Sequence, residues 1–122
     1  MNALKPPPKE GFYDLHLHII PGLDDGSRNL EASLEILEGL QEEGFTHFVA
    51  TPHADDRRWT YSKAVIDEGF QKLVEGVKAS ALNVRVQLGA EYTYGMRFHK
   101  HLQEKRLMTL AGSRYVLMEL PE

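Results

Sequence analysis

Short runs suited to strands alternate along this chain with longer stretches whose apolar residues recur at helical spacing. This alternation restricts the fold more than any single motif does. The first run, Phe12 to His18, ends in Pro21-Gly22-Leu23-Asp24-Asp25-Gly26, a cluster of turn residues that halts regular structure. A helix follows, with Asn29 as N-cap, Glu31 near the positive end of the dipole, and Leu30, Leu34, Leu37 and Leu40 as its apolar stripe. Gly44 is placed to end it. Phe45 to Thr51 is nearly continuous in apolar and β-branched residues apart from His47, as in a strand covered on both faces, and Pro52 stops it. From Ser62 to Ala81, Ile66, Phe70, Leu73, Val74, Val77 and Ala81 mark a second helix that tolerates Gly69 and Gly76. Asn83 to Leu88 alternates as a third strand. A short helical piece from Met96 to Gln103 then leads through Leu107-Met108 to a fourth strand, Tyr115 to Leu120.

Such an order implies parallel neighbours joined by right-handed crossovers, and the closed form of such a sheet is a β/α barrel. A complete eight-stranded barrel takes about 250 residues. The 122 residues here are expected to supply about four β/α units and to leave the last strand with an unpaired edge, as the front part of something larger. With 42% apolar and 26% charged residues the chain has the make-up of one ordinary globular domain, read as residues 12–122 behind a proline-containing leader at 1–11. The leader lacks the apolar core of a signal peptide and no run is long enough to span a bilayer, so the cytoplasm is the expected compartment. A net charge of −4, with no basic cluster longer than Arg57-Arg58, argues against nucleic acid as a partner. The absence of cysteine removes disulfides, thiolate metal sites and sulfur nucleophiles.

Reactive groups in parallel α/β proteins gather beyond the carboxyl ends of the strands, and here those ends carry ligand-type residues. His16 and His18 lie two apart and project from one face of the first strand, with Asp25 on the loop that follows. The second strand leads to Thr51-Pro52-His53 and the third to Gly89-Ala90-Glu91, whose small residues let other groups approach; Glu119 sits near the end of the fourth. Nitrogen and oxygen donors of this kind suit manganese, iron, zinc or magnesium. Plainer structural readings apply elsewhere. Asp24 makes a good turn residue, and a purely structural role for it stands beside a role in the site. His47 reads as a packed histidine, His99 and His101 as part of a solvated helix face, and Tyr92 and Tyr94 as packing residues near the mouth of the site.

Four segments, Phe12-Tyr13-Asp14-Leu15-His16-Leu17-His18 through Asp24-Asp25-Gly26, Ala50-Thr51-Pro52-His53, Gly89-Ala90-Glu91-Tyr92 and Ser113-Arg114-Tyr115-Val116-Leu117-Met118-Glu119, resemble the polymerase-and-histidinol-phosphatase (PHP) superfamily. Within it, the pattern is most similar to the bacterial metal-dependent protein tyrosine phosphatases of capsular and exopolysaccharide synthesis, and it runs from about Tyr13 to Pro121. The resemblance implies the N-terminal half of a distorted barrel of about seven β/α units with divalent metals, often manganese, at the strand ends. Carried over by position, His16, His18, Asp25, His53 and Glu91 would be metal ligands, with Glu91 bridging. Aspartate at position 25, where many superfamily members have histidine, favours the tyrosine phosphatase branch. The family completes its centre with a further histidine after the fourth strand and a later Asp-x-His pair, and this chain ends before them.

The activity so implied is hydrolysis of a phosphomonoester by metal-activated water, with phosphotyrosine on a kinase of the polysaccharide export machinery as substrate. Arg57 and Arg58 are candidates for engaging phosphate. Two other readings stand beside it: a truncated chain without activity, and a phosphatase for histidinol phosphate or another small phosphomonoester. Oligomers are compatible with all three.

Overall fold

The computed structural model describes residues 5, 6, 8, 10–55 and 61–121. Its elements, in chain order, are β1 (Phe12–Leu17), α1 (Leu30–Glu42), β2 (Phe45–Ala50), β3 (His53–Asp55), α2 (Lys63–Ala79), β4 (Arg85–Leu88), β5 (Glu91–Thr93), α3 (Met96–Gln103), a short 3-10 helix (Leu110–Gly112) and β6 (Leu117–Glu119). The chain is a mixed α/β fold in which every strand pairing among the described residues is parallel.

The strands form two hydrogen-bonded ladders, β1-β2-β4 and β3-β5-β6. They arise because two strands are interrupted side by side. Pro52 has no N–H to donate and ends β2, yet the chain resumes as β3 at His53; in the neighbouring strand β4 ends at Leu88 and β5 resumes at Glu91. Pairing is carried across both interruptions by Gly89 N–H to Ala50 O at 2.8 Å and Glu91 N–H to Pro52 O at 2.8 Å. The sequence places His53 and Glu91 on loops beyond two finished strands; the structure puts both on short strands of their own. The fourth strand is confined to Leu117–Glu119, shorter than the predicted Tyr115 to Leu120.

The core lies against the first ladder. Ile19, Ile20, Leu37, Phe48, Ala50, Ile66, Leu73, Val77 and Leu82 are buried together, and Leu30, Leu34 and Leu40 of the predicted α1 stripe pack against them. Burying side chains of this size contributes about 1.5–3 kcal/mol each. The Asn29 side chain accepts from Ala32 N–H at the start of α1, as its N-cap position predicts, and the Ser62 hydroxyl does the same for Val65 N–H in α2. Gly69 and Gly76 are clearances in α2: a Cβ there would stand 2.6 Å from Ile20 Cγ2 and from Leu30 Cδ1, respectively.

The loop between β1 and α1 closes on its own ends. Ser27 N–H reaches His18 O at 3.1 Å and Gly22 N–H reaches Ser27 O at 2.9 Å, which folds Asp24 and Asp25 back over the end of β1. Ser33 anchors this closure from α1, its buried hydroxyl 2.7 Å from Ile19 O and 2.6 Å from Ser27 Oγ. The Tyr61 hydroxyl donates to Leu23 O and ties the approach to α2 to the same loop.

Candidate metal centre

His16 on β1 and His18 just past its end project together, and the end of that strand is held by a clasp. Buried Thr51 takes Leu17 N–H on its hydroxyl oxygen at 2.9 Å while its own N–H donates to Leu17 O at 2.8 Å. The next inward-facing group on the neighbouring track is His53, and the next again is Glu91, which pairs with His53 in register. Both are buried, as a strand-borne site demands.

Glu91 Oε1 is the point of convergence. It lies 2.8 Å from His18 Nε2, 3.1 Å from His16 Nε2 and 3.8 Å from His53 Nδ1. The two histidine Nε2 atoms are 3.3 Å apart. Neighbouring N and O ligands about 2.1 Å from one ion are separated by roughly 3.0–3.4 Å. The His16–Glu91 edge at 3.1 Å and the His16–His18 edge at 3.3 Å fall in that range, and the His18–Glu91 edge at 2.8 Å is slightly shorter. Asp25 stands on the other side, with Oδ1 3.5 Å from His53 Nε2 and 3.8 Å from His18 Nδ1. Two groups of residues can therefore hold a metal ion, His16 with His18 and Glu91, and His18 with Asp24, Asp25 and His53. All five residues singled out in the sequence for metal binding, His16, His18, Asp25, His53 and Glu91, meet at this one place. Their donor set, imidazole nitrogens and carboxylate oxygens without sulfur, fits a divalent first-row metal.

Two further carboxylates enter the site. Asp24, with a side chain only 2% exposed, accepts from His18 Nδ1 at 2.9 Å, from His53 N–H at 3.1 Å and, through its other oxygen, from Gly26 N–H at 3.1 Å. Glu119 Oε1 accepts from the Thr93 hydroxyl at 3.0 Å and lies 3.7 Å from His53 Nδ1. The sequence leaves Asp24 divided between turn and site, and it places Glu119 near the end of the fourth strand without a role. The signal for Asp24 was present in the sequence as a carboxylate six residues after His18, but only the closed loop brings the two together.

The electrostatics follow this contact. The His18 imidazole is held above its ordinary pKa chiefly by its hydrogen bond to Asp24; burial opposes the shift, and the charges of Asp24, Glu91 and Asp25 reinforce it. For Asp24, burial pulls the carboxyl upward, but the hydrogen bonds from His18, His53 N–H and Gly26 N–H, with the charge on His18, bring it below the usual carboxylate range.

The remaining expectations divide. His47 is a packed histidine, stacked on Tyr13 with ring centres 4.2 Å apart. Tyr92 is buried and its hydroxyl accepts from Met108 N–H, whereas Tyr94 is exposed and packs against Phe98 and His99. His99 and Lys100 are exposed as predicted, while His101 is half-buried. Arg57 and Arg58 lie outside the described residues.

A family model described as "Capsular polysaccharide synthesis, CpsB/CapC" matches residues 12–122. The tyrosine-protein phosphatase CpsB of Streptococcus pneumoniae is 31% identical over 106 residues, which cover 87% of this chain and 44% of that protein. A putative tyrosine-protein phosphatase, CapC of Staphylococcus aureus, is 27% identical over 108 residues, 88% of this chain and 42% of the relative. In three dimensions the chain is similar to a chain from the crystal structures of YwqE from Bacillus subtilis and CpsB from Streptococcus pneumoniae, described as unique metal-dependent tyrosine phosphatases. The TM-score is 0.81 at 25% identity, covering 90% of this chain and 44% of that one. The chain thus spans less than half the length of the relatives it matches.

Proposed function

Since this chain belongs to the CpsB/CapC family of capsular polysaccharide synthesis, we propose that it carries part of a metal-dependent protein-tyrosine phosphatase centre. His16, His18, Asp25, His53 and Glu91 would be its metal ligands. The observation that carries this reading is the convergence of His16, His18 and His53 on a single oxygen of buried Glu91. Bound divalent ions supply the Lewis acidity that neutralises phosphoryl oxygens and lowers the pKa of an attacking water. The chain contributes fixed positions: His16 and His18 on a clasped strand end, His53 and Glu91 on adjacent strands, and Asp25 on a closed loop, so little reorganisation is left for the reaction. The absence of cysteine supports activated water as the nucleophile.

Finer points of the proposal are manganese as the metal, a phosphotyrosine protein such as a tyrosine kinase of polysaccharide export as substrate, and the cytoplasm as compartment. Among the described residues no helix is long and apolar enough to cross a membrane. We further propose that residues 12–122 form the N-terminal part of a distorted β/α barrel completed by additional polypeptide. The parallel strand order supports this, as do the large apolar side chains left exposed on β1 (Phe12, Tyr13, Leu15) and around β6 (Tyr115, Met118, Leu120).

The test measures phosphate release from a phosphotyrosine peptide and from histidinol phosphate, with Mn2+ and then with chelator, on this chain and on one lengthened at its C-terminus. Metal-dependent release from the peptide in preference to histidinol phosphate is expected, with loss in Glu91→Gln. No release by either chain with metal present would sink the reading.

A further inference from the structure

We infer that Asp24 is a positioning residue for the metal centre, which fixes the His18 ring so that Nε2, and not Nδ1, is the nitrogen offered to a metal. This rests on the proposed metal-binding role of the site.

The contacts of Asp24 already commit three of the four acceptor positions of its carboxylate to hydrogen bonds, so the group serves its neighbours before it serves an ion. Oδ2 receives two N–H groups, His18 Nδ1–H at 2.9 Å and His53 N–H at 3.1 Å, which occupy both lone pairs of that oxygen; Oδ1 receives Gly26 N–H at 3.1 Å. An ionised carboxylate only accepts hydrogen bonds, so the His18 proton in this contact sits on Nδ1. The other ring nitrogen then faces Glu91 Oε1 at 2.8 Å and His16 Nε2 at 3.3 Å, inside the first of the two candidate ligand groups. Both ring nitrogens face a carboxylate, but only the Nδ1 contact with Asp24 has hydrogen-bond geometry, whereas the 2.8 Å approach of Glu91 Oε1 to Nε2 is an ion-pair contact. Of the two placements open to His18, the hydrogen bond to Asp24 selects the one with Nε2 free for a metal. A carboxylate behind a ligating imidazole is a recurrent means of fixing tautomer and ring orientation.

Asp24 also stands in for a missing strand. Thr51 N–H bonds to Leu17 O on β1, and by parallel register the next donor on that edge, His53 N–H, would look for a carbonyl two residues further along the first strand. That strand ends at Leu17, and the Asp24 carboxylate takes the His53 N–H instead. One side chain thereby holds the His18 ring, the backbone of His53 and the turn carrying Asp25 in a common frame.

The experiment is NMR of the chain with 15N-labelled histidine, first without metal at a pH where His18 is neutral, then titrated with Zn2+, with Zn2+ affinity measured by calorimetry for wild type and Asp24→Asn. The expected result is His18 as the Nδ1–H tautomer throughout, a zinc-bound shift at its Nε2, and Zn2+ affinity about 10–100-fold weaker in Asp24→Asn. A wild-type His18 protonated on Nε2, or ligating through Nδ1, would overturn the inference, and so would unaltered affinity in a folded Asp24→Asn. The wild-type spectrum decides even if the variant does not fold. If wild type binds no Zn2+ while His18 remains Nδ1–H, the positioning contact stands and the metal-centre reading falls.

Discussion

At the scale of single residues, the site depends on clearances as much as on ligands. Gly26 follows the two aspartates of the loop, and a Cβ there would collide with His18 O and stand 2.5 Å from His18 Cβ. Gly26→Ala must therefore push the loop off the end of β1, separating Asp24 from His18. The expected outcome is Zn2+ or Mn2+ affinity reduced by at least about 10-fold, with loss of the raised His18 pKa, read by calorimetry and by 1H NMR titration. Retention of both would show that the loop's closure is not needed for the site. Much of this scale was legible in the sequence. The two-residue spacing of His16 and His18, Asp25 on the loop after them, and the positions of His53 and Glu91 after strand-like runs point to one end of the sheet, while the grouping of these five as one ligand set was what the family resemblance implied. Asp24 was only half legible, because Asp-Asp-Gly satisfies turn chemistry equally well whether its first carboxylate caps a turn or reaches back six residues to an imidazole.

Among the elements, helix α2 is where propensity and packing disagree. Its two glycines weaken it as an isolated helix, and the structure accounts for them by the approach of Ile20 and Leu30. A methyl group added at Gly39 of α1 would meet no atom within 4 Å, so nothing opposes a better helix former there. Gly39→Ala should accordingly raise stability by about 0.5–1 kcal/mol. Gly76→Ala should lower it by about 1–3 kcal/mol, because Cδ1, Cδ2 and Cγ of Leu30 all lie within 3.1 Å of the added carbon. Urea denaturation of the two variants checks both signs, and stabilisation by Gly76→Ala would mean that the two helices yield easily. The helices and the longer strands follow from apolar periodicity in the sequence. The three-residue strands β3, β5 and β6 do not, since three residues are too few to display a period, and Pro52 reads as a stop although the strand resumes one residue later. The 3-10 turn at Leu110–Gly112, with Ala111 at φ 52°, is likewise hidden in an ordinary small-residue stretch.

Across the molecule, the strand–helix rhythm pointed to the parallel α/β arrangement before any side chain was considered, whereas the partition into two ladders could not be read from it. That partition has a consequence for motion. The buried cluster that holds the chain together draws on α1, β2, α2 and the residues just after β1 and α2, and none of its buried members comes from β3, β5 or β6. Opening free energies within one protein range from near zero to the global value, according to how much packing each unit shares. The backbone amides of His53–Asp55, Glu91–Thr93 and Leu117–Glu119 should exchange with solvent deuterium sooner than those of Phe48–Ala50, by a partial opening of the β3-β5-β6 ladder that leaves the β1-β2-β4 ladder closed. Zn2+ or Mn2+ should slow the amides of the β3-β5-β6 ladder selectively, since ligands from β1, the following loop, β3 and β5 would then be tied through one centre. Uniform protection across both ladders without metal would show instead that they open as one. The pair of interruptions at Thr51-Pro52 and Gly89-Ala90 thus acts as a seam that the site straddles, with His16 and His18 on the well-packed side and His53 and Glu91 on a thin rim whose rigidity is set by what it binds.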